Sequence, residues 1–274
     1  MAGTIVVDDP EDPRVDDFRD LTAADRRPDR PGGRGLVIAE GVVVVRRLLA
    51  SPYPVRALLG VPARLDDLAE DLAGVPAPAY RTSPEVMSEV VGFHLNRGVL
   101  AVADRAAPVD PLALAADPSA RVLAVLEGVN DHENLGSVFR NAAALGAAGV
   151  LLGPRCADPL YRRSVRVSMG HVLRVPFATL PAEPPWPSAL DTLRAGGRRV
   201  VALTPRRGAR PLPEAGLGDG PVALLLGAEG PGLSEPALDA ADGWARIPMA
   251  DGVDSLNVAT AAAVAFYAAG GRAR

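Results

Sequence analysis

Cysteine and histidine are scarce in this sequence. Cys156 is the only cysteine among 274 residues, so an internal disulfide is excluded. The three histidines, His94, His132 and His171, lie far apart in the chain, and none forms a metal-ligand spacing with Cys156. We therefore predict a protein that uses no metal.

Long apolar runs and a basic leader are also missing. No stretch reaches the roughly 20 apolar residues that span a bilayer, and no basic segment followed by an apolar one opens the chain. The sequence predicts a cytoplasmic protein with no membrane partner. The net charge is −4, so the global basic field typical of nucleic-acid binders is absent. An RNA partner would have to be held by local arginine clusters.

Strands and helices alternate in two blocks. Residues 1–34, rich in Asp, Arg and Pro, are predicted to form a flexible, solvated arm with at most one short helix. The rest of block 1–106 alternates strands with helices and is expected to form a small α/β domain. Residues 107–120 are interpreted as a Pro/Ala linker. In 121–274, continuous apolar strands separated by helices predict a mostly parallel sheet covered on both faces.

The stretch LLLGAEGPGLS, residues 224–234, is an apolar strand that ends in glycines. Its glycines are spaced G-x-x-G-x-G, whereas dinucleotide binding needs G-x-G-x-x-G and the P-loop ends in Gly-Lys-Ser/Thr. Glu229 also lies inside the turn, where it would repel phosphate. The turn is therefore not predicted to hold a phosphate, and a nucleotide-dependent dehydrogenase is disfavoured.

Two further segments place polar side chains beside buried helix faces. In NLGSVFR, residues 134–140, helical spacing puts Asn134, Ser137 and Arg140 on the arc opposite the apolar residues. In IPMADGVDSLNVAT, residues 247–260, Asp254 or Ser255 is the predicted N-cap of an alanine-rich final helix. On its own, the first pattern is typical of a solvated polar helix face, and the second is typical of a tightly packed core helix.

Together, the three segments resemble the ordered motifs of the SpoU/TrmH family of RNA ribose 2'-O-methyltransferases. The similarity covers nearly all of 121–270, including SVRVSMGHVLRVPF between the first two motifs. It implies a C-terminal SPOUT domain with a deep trefoil knot. VIAEGVVVVRRLLASP and NRGVLAVAD resemble, more weakly, the ribosomal-protein-like substrate-binding domain of many members. Because FHLNRG departs from the expected glutamine-containing version, the target base stays open.

The resemblance implies S-adenosyl-L-methionine as cofactor, no metal, and the following site residues. The cofactor-binding residues that it implies are Leu203, Thr204, Gly227, Glu229, Gly230, Ile247, Met249, Ser255 and Leu256. The catalytic residues that the resemblance implies are Arg140, Asn134, Glu229, Ser255 and Asn257, with Arg140 at the ribose hydroxyl. Family members pair through their knotted domains, so a homodimer is expected.

The expected substrate is 23S ribosomal RNA, because a recognition domain precedes the knot. Transfer RNA is the alternative, as is a non-catalytic RNA-binding protein of the same fold, and an antibiotic-resistance methylase shares the layout. The predicted RNA contacts are Arg140, Arg162, Arg163 and Arg166. A second cluster on the N-terminal arm comprises Arg26, Arg27, Arg30 and Arg34.

Overall fold

The computed structural model describes residues 4–27, 32–183 and 185–270. The chain divides into two compact units, and each is described by itself. The first comprises 1–107 and 158–174, and the second comprises 108–157 and 175–274. Residues 158–174, which the sequence placed in the second domain, thus group with the first unit.

The first unit is built on a five-stranded mixed sheet of order β1-β4-β3-β5-β2. Its strands are β1 (Ile5–Val6), β2 (Val37–Glu40), β3 (Val55–Gly60), β4 (Ala79–Arg81) and β5 (Val99–Ala103). With helices numbered along the whole chain, its helices are α1 (Leu21–Ala24), α2 (Val42–Leu49), α3 (Pro62–Asp66), α4 (Pro84–Val91) and α7 (Arg162–Val167). The predicted small α/β fold is present.

The predicted flexible arm 1–34 is wrong over its described part. β1 pairs in parallel with β4, and a 3₁₀ helix at Pro13–Phe18 leads into α1. Val15, Phe18, Leu21 and Ala24 are all buried in the first unit's core. Val15 and Phe18 are three residues apart within the 3₁₀ helix, which has three residues per turn, so both side chains face the core.

The second unit is built on seven strands, all parallel, in the order β10-β12-β9-β11-β6-β7-β8. The strands are β6 (Val122–Glu127), β7 (Gly149–Leu152), β8 (Phe177–Thr179), β9 (Arg199–Leu203), β10 (Arg210–Pro211), β11 (Val222–Gly227) and β12 (Gly243–Arg246). The helices are α5 (Pro111–Ala116), α6 (His132–Leu145), α8 (Asp191–Ala195), α9 (Glu235–Asp239) and α10 (Val258–Gly270). The mostly parallel sheet is confirmed, whereas the knot stays a prediction.

Residues 107–120 do not form the predicted linker. They contain α5, whose Leu114 and Ala115 are buried in the second unit's core. The buried guanidinium of Arg198 donates hydrogen bonds to the carbonyl oxygens of Ala115, Asp117 and Ala120. Burial lowers the pKa of Arg198, and the three carbonyl acceptors compensate for part of its lost hydration. A long-range arginine thus orders this segment.

The topology of the second unit positions the candidate site. Because every strand runs parallel, the carboxyl ends of the neighbouring strands β9, β11 and β6 meet at one edge. The loops that follow β9, β11 and β12 leave from that edge, as does the loop that leads into α6. Helix α10 packs against α6, so the third sequence motif lies beside the first. Among the described residues, no helix is long and apolar enough to cross a membrane.

Candidate active site

A cavity of about 260 Å³ opens among the loops at the carboxyl edge of the second unit's sheet. All nine residues that the sequence assigned to cofactor binding line it: Leu203, Thr204, Gly227, Glu229, Gly230, Ile247, Met249, Ser255 and Leu256. They come from three loops, and the first and last of them are more than 40 residues apart in the chain. The parallel sheet brings these loops together.

The glycine turn after β11 forms one wall of this cavity. The turn closes on itself through a hydrogen bond from Gly232 N to Ala228 O at 3.0 Å. A Cβ on Gly227 would lie 2.3 Å from the carbonyl carbon of Gly232. Gly230 and Gly232 have φ of +88° and +72°, which favours glycine. The closest approach to Gly227 is therefore by the turn's own backbone.

Three asparagine and glutamate side chains connect the three sequence motifs. Asn134 Nδ2, in the first turn of α6, donates to Glu229 Oε2 in the glycine turn at 2.9 Å. Asn257 Nδ2 donates to Asn134 Oδ1 at 2.6 Å. Three of the five predicted catalytic residues are therefore joined in one chain of hydrogen bonds, and two of these three, Glu229 and Asn257, line the cavity.

The donors and acceptors of this chain fix the orientation of both amides. An ionised carboxylate only accepts hydrogen bonds, so Asn134 must present its NH₂ group to Glu229 and its carbonyl oxygen to Asn257. Asn257 then presents its own oxygen to the backbone, where it accepts from Ala259 N at 2.9 Å and Thr260 N at 3.3 Å. No amide can flip without breaking bonds at both ends.

The same bonds correct the predicted N-cap of the final helix. Asn257, and neither Asp254 nor Ser255, caps α10, because its side chain accepts from the first backbone N–H groups of the helix. The loop 251–257 therefore stays outside the helix and exposed. This places Ser255 and Leu256 at the cavity instead of on a helical turn.

Arg140 lies elsewhere on α6. It is exposed and does not line the cavity, although Asn134 on the same helix contacts a cavity residue. Within the described part of this chain, its guanidinium has no hydrogen bond or ion pair. A single copy of the chain thus leaves this predicted catalytic residue outside the pocket.

The other predicted RNA contacts lie in the first unit, on α7. Arg163 and Arg166 are exposed, whereas Arg162 is half-buried and its guanidinium lies 5.2 Å from the centroid of the Phe93 ring. In the arm cluster, Arg34 forms an ion pair with Asp17 at 3.1 Å. Arg26 and Arg27 are exposed, and Arg30 lies outside the described residues.

Sequence analysis missed a buried carboxylate beneath the glycine turn. Glu127, at the carboxyl end of β6, is only 2% exposed. Its oxygens accept hydrogen bonds from Trp186 Nε1 at 2.8 Å, Ser234 N at 2.9 Å and Ser234 Oγ at 2.7 Å. Ser234 in turn caps α9. The available signal was a single charged residue that ends an otherwise apolar strand, VLAVLE.

The lining of the pocket is mostly apolar, with one charged side chain of each sign. Of the lining residues, Glu229 is the only acidic one and Arg206 the only basic one, and apolar surface comes from Leu203, Ile247, Met249 and Leu256. Among the described residues, no group of three His, Cys, Asp or Glu side chains could hold a metal ion. Cys156 lies outside the pocket, and burial raises the pKa of its thiol.

Fold and pocket together define an open α/β domain with a cavity at the carboxyl edge of a parallel sheet. Residues 121–267 match the model of the SpoU rRNA Methylase family. The chain belongs to this family of RNA methyltransferases, as the motifs predicted.

Comparison with known proteins gives the same result over almost the whole chain. The sequence is 58% identical to an uncharacterized tRNA/rRNA methyltransferase of Mycobacterium tuberculosis, over 94% of this chain and 89% of that protein. A crystal structure of AdoMet-bound rRNA methyltransferase from Sinorhizobium meliloti has a TM-score of 0.79 and 26% identity, covering 97% of each chain. A solved RNA 2'-O ribose methyltransferase has a TM-score of 0.73 and 26% identity, covering 97% of this chain and 98% of the other.

Proposed function

We propose that the protein transfers a methyl group from S-adenosyl-L-methionine to a ribose 2'-hydroxyl of RNA. The observation that carries this proposal is the hydrogen-bonded chain Glu229–Asn134–Asn257 beside the cavity. The cavity fits the cofactor. It has apolar walls for the adenosine, backbone groups of the glycine turn for polar contacts, and one carboxylate for the positive end. The AdoMet-bound relative and the 2'-O ribose methyltransferase of the same fold support both halves of the proposal.

The chain's own residues position the reactants. When bound, the cofactor supplies a methyl group already activated by its sulfonium. The ribose oxygen forms a bond to this methyl carbon as the sulfur–carbon bond breaks, which leaves a neutral thioether. The hydroxyl proton passes to water or to Glu229. Asn134 fixes the Glu229 carboxylate by donating to it, so the negative charge is held in place before the reaction begins.

Arg140 is the residue that we assign to the RNA. A guanidinium keeps its proton in proteins, so Arg140 does not act as the base. It binds the ribose oxygen and the adjoining phosphate through its N–H donors. Because Arg140 lies outside the cavity of its own chain, we propose that a second copy brings its Arg140 to this pocket.

The outer face of α10 supports such pairing. Its exposed residues, Thr260, Val264, Tyr267 and Ala268, are uncharged, and Tyr267 is 66% exposed.

Two inactive variants test the shared site. Arg140→Ala chains keep the cavity, and Gly227→Ala chains keep Arg140. If sites are shared, coexpression restores about a quarter of the wild-type activity, because half of the dimers are mixed and each has one complete site. No recovery would show that each chain works alone.

The proposed substrate is 23S ribosomal RNA. Residues 1–107 of the first unit precede the matched residues 121–267, and the family description names rRNA. Ribose methylation is mapped in ribosomal and transfer RNA from a strain that lacks the gene. Loss of one 23S rRNA methylation supports the proposal, and loss of a tRNA methylation assigns the alternative substrate. Unchanged methylation in both contradicts the proposed function.

A further inference from the structure

The cavity contains one positively charged side chain. Of its lining residues, Arg206 is the only basic one, and Glu229 is the only acidic one. Arg206 lies in the loop that follows β9. The proposed cofactor carries two positive centres, an ammonium and a sulfonium, and one carboxylate. Among the lining residues, only Arg206 can offer that carboxylate a positively charged partner.

Arg206 is held by an acidic residue outside the lining. Arg206 Nη1 donates to Glu235 Oε2 at 2.7 Å, and its Nη2 donates to Glu235 Oε1. Glu235 is the first residue of α9, so this bidentate pair joins the loop after β9 to the helix that follows the glycine turn. The pair raises the pKa of Arg206 and lowers that of Glu235.

The pair is easily exchanged. The Arg206 side chain is 42% exposed and that of Glu235 is 66% exposed, and ion pairs at this exposure contribute little to stability. A guanidinium recognises any carboxylate with the same bidentate geometry. A ligand carboxylate that enters the cavity therefore meets a donor set already arranged for it.

We propose that Arg206 binds the carboxylate of the cofactor's methionine portion, and that Glu235 competes with the cofactor for this guanidinium. The inference rests on the proposed cofactor, but not on the RNA substrate. S-adenosylmethionine and the product S-adenosylhomocysteine both keep the carboxylate, so Arg206 holds them equally. 5'-Methylthioadenosine lacks the amino-acid portion, so Arg206 contributes nothing to its binding.

Calorimetric titration of the full chain with these three compounds, without RNA, tests the proposal. Arg206→Ala weakens binding of S-adenosylmethionine and S-adenosylhomocysteine by about tenfold, the value of one charge-assisted pair. It changes 5'-methylthioadenosine binding less than about twofold. Glu235→Gln removes the competitor and tightens the first two compounds about two- to threefold. Arg207→Ala, which removes an exposed neighbouring charge outside the cavity lining, leaves all three affinities unchanged.

Two results overturn the proposal. If Arg206→Ala weakens 5'-methylthioadenosine as much as S-adenosylmethionine, the residue only shapes the loop. If Arg206→Ala leaves S-adenosylmethionine binding unchanged, the carboxylate is held elsewhere. If the wild-type chain binds none of the three compounds, the cofactor assignment is wrong, and the proposed function is wrong with it. In contrast, the RNA assignment can be wrong without any change in these affinities.

Discussion

Asn134 donates a hydrogen bond to Glu229 at 2.9 Å across 95 residues of chain. Its other amide atom accepts from Asn257 across a further sequence separation of 123 residues. One side chain thus ties the start of α6 to the glycine turn and to the cap of α10. Asn134 thereby holds the three motifs together through one bond to each of the other two.

Substitution of Asn134 tests whether this chain supports catalysis. Asn134→Ala removes both bonds and lets Glu229 move, so we expect kcat/KM for methyl transfer to fall about 100-fold, the typical effect of small misplacements. Asn134→Asp places a second carboxylate against Glu229, and like charges at this distance repel. We expect the aspartate variant to be the less active of the two. Methyl transfer rates with unfolding curves measure this, and wild-type rates in both variants contradict it.

The glycine turn is predicted to tolerate no side chain at 227. Gly227→Ala places a Cβ 2.3 Å from the Gly232 carbonyl carbon and 2.4 Å from Leu233 N, so the turn has to shift. We expect a loss of about 1–3 kcal/mol in the free energy of unfolding and loss of cofactor binding by calorimetry. Gly218→Ala is the matched control, since nothing lies within 4 Å of its added Cβ. Equal behaviour of the two variants would refute the tight turn.

Glu127 is predicted to anchor the turn from below. Glu127→Ala leaves the donors of Trp186 and Ser234 without their acceptor. Each buried donor left unpaired destabilises the folded protein by about 1–3 kcal/mol. We therefore expect a loss of about 2–4 kcal/mol in the free energy of unfolding. Weaker cofactor binding should accompany it. Glu127→Gln keeps the volume and one acceptor oxygen, so its loss should be smaller. Denaturant unfolding followed by tryptophan fluorescence provides the measurement, and an unchanged midpoint for both variants contradicts it.

A buried aspartate in the first unit is predicted to make stability depend on pH. Asp25 Oδ2 accepts from Arg162 N at 2.9 Å, and Oδ1 has no partner among the described residues. Burial, aided by the charge of Asp158, raises the pKa of Asp25 from 3.8 to about 6. Between these values the folded protein binds more protons than the unfolded chain, so the free energy of unfolding falls as pH rises from about 4 to 6.

Asp25→Asn removes this dependence. At pH 7.5 we expect the asparagine variant to be more stable than wild type by about 1–2 kcal/mol after solvent screening. At pH 4, where Asp25 is protonated in the folded protein, the difference should vanish. Thermal unfolding at both pH values measures it. A wild type that is more stable at pH 7.5 than the variant would show that the charged form is favoured.

Local patterns predicted the two α/β blocks and the mostly parallel sheet. The residues predicted to bind the cofactor come from distant segments and line one cavity, because a parallel sheet aligns its carboxyl edges. The errors arose in segments whose conformation is determined by long-range contacts. Arg198 orders the segment expected to be a linker, and the three-residue spacing of Val15, Phe18, Leu21 and Ala24 was hidden by the surrounding charges. The Arg206–Glu235 pair carries no local signal at all.

The nature of the methylated product tests the central claim most directly. Purified protein is incubated with 23S rRNA that lacks the modification and with S-adenosylmethionine labelled in its methyl group, and the RNA is then hydrolysed in alkali. A ribose 2'-O-methyl group blocks cleavage at its own phosphodiester. We therefore predict that the label appears in alkali-resistant dinucleotides and that Arg140→Ala abolishes it. Label in mononucleotides would place the methyl group on a base and contradict the account.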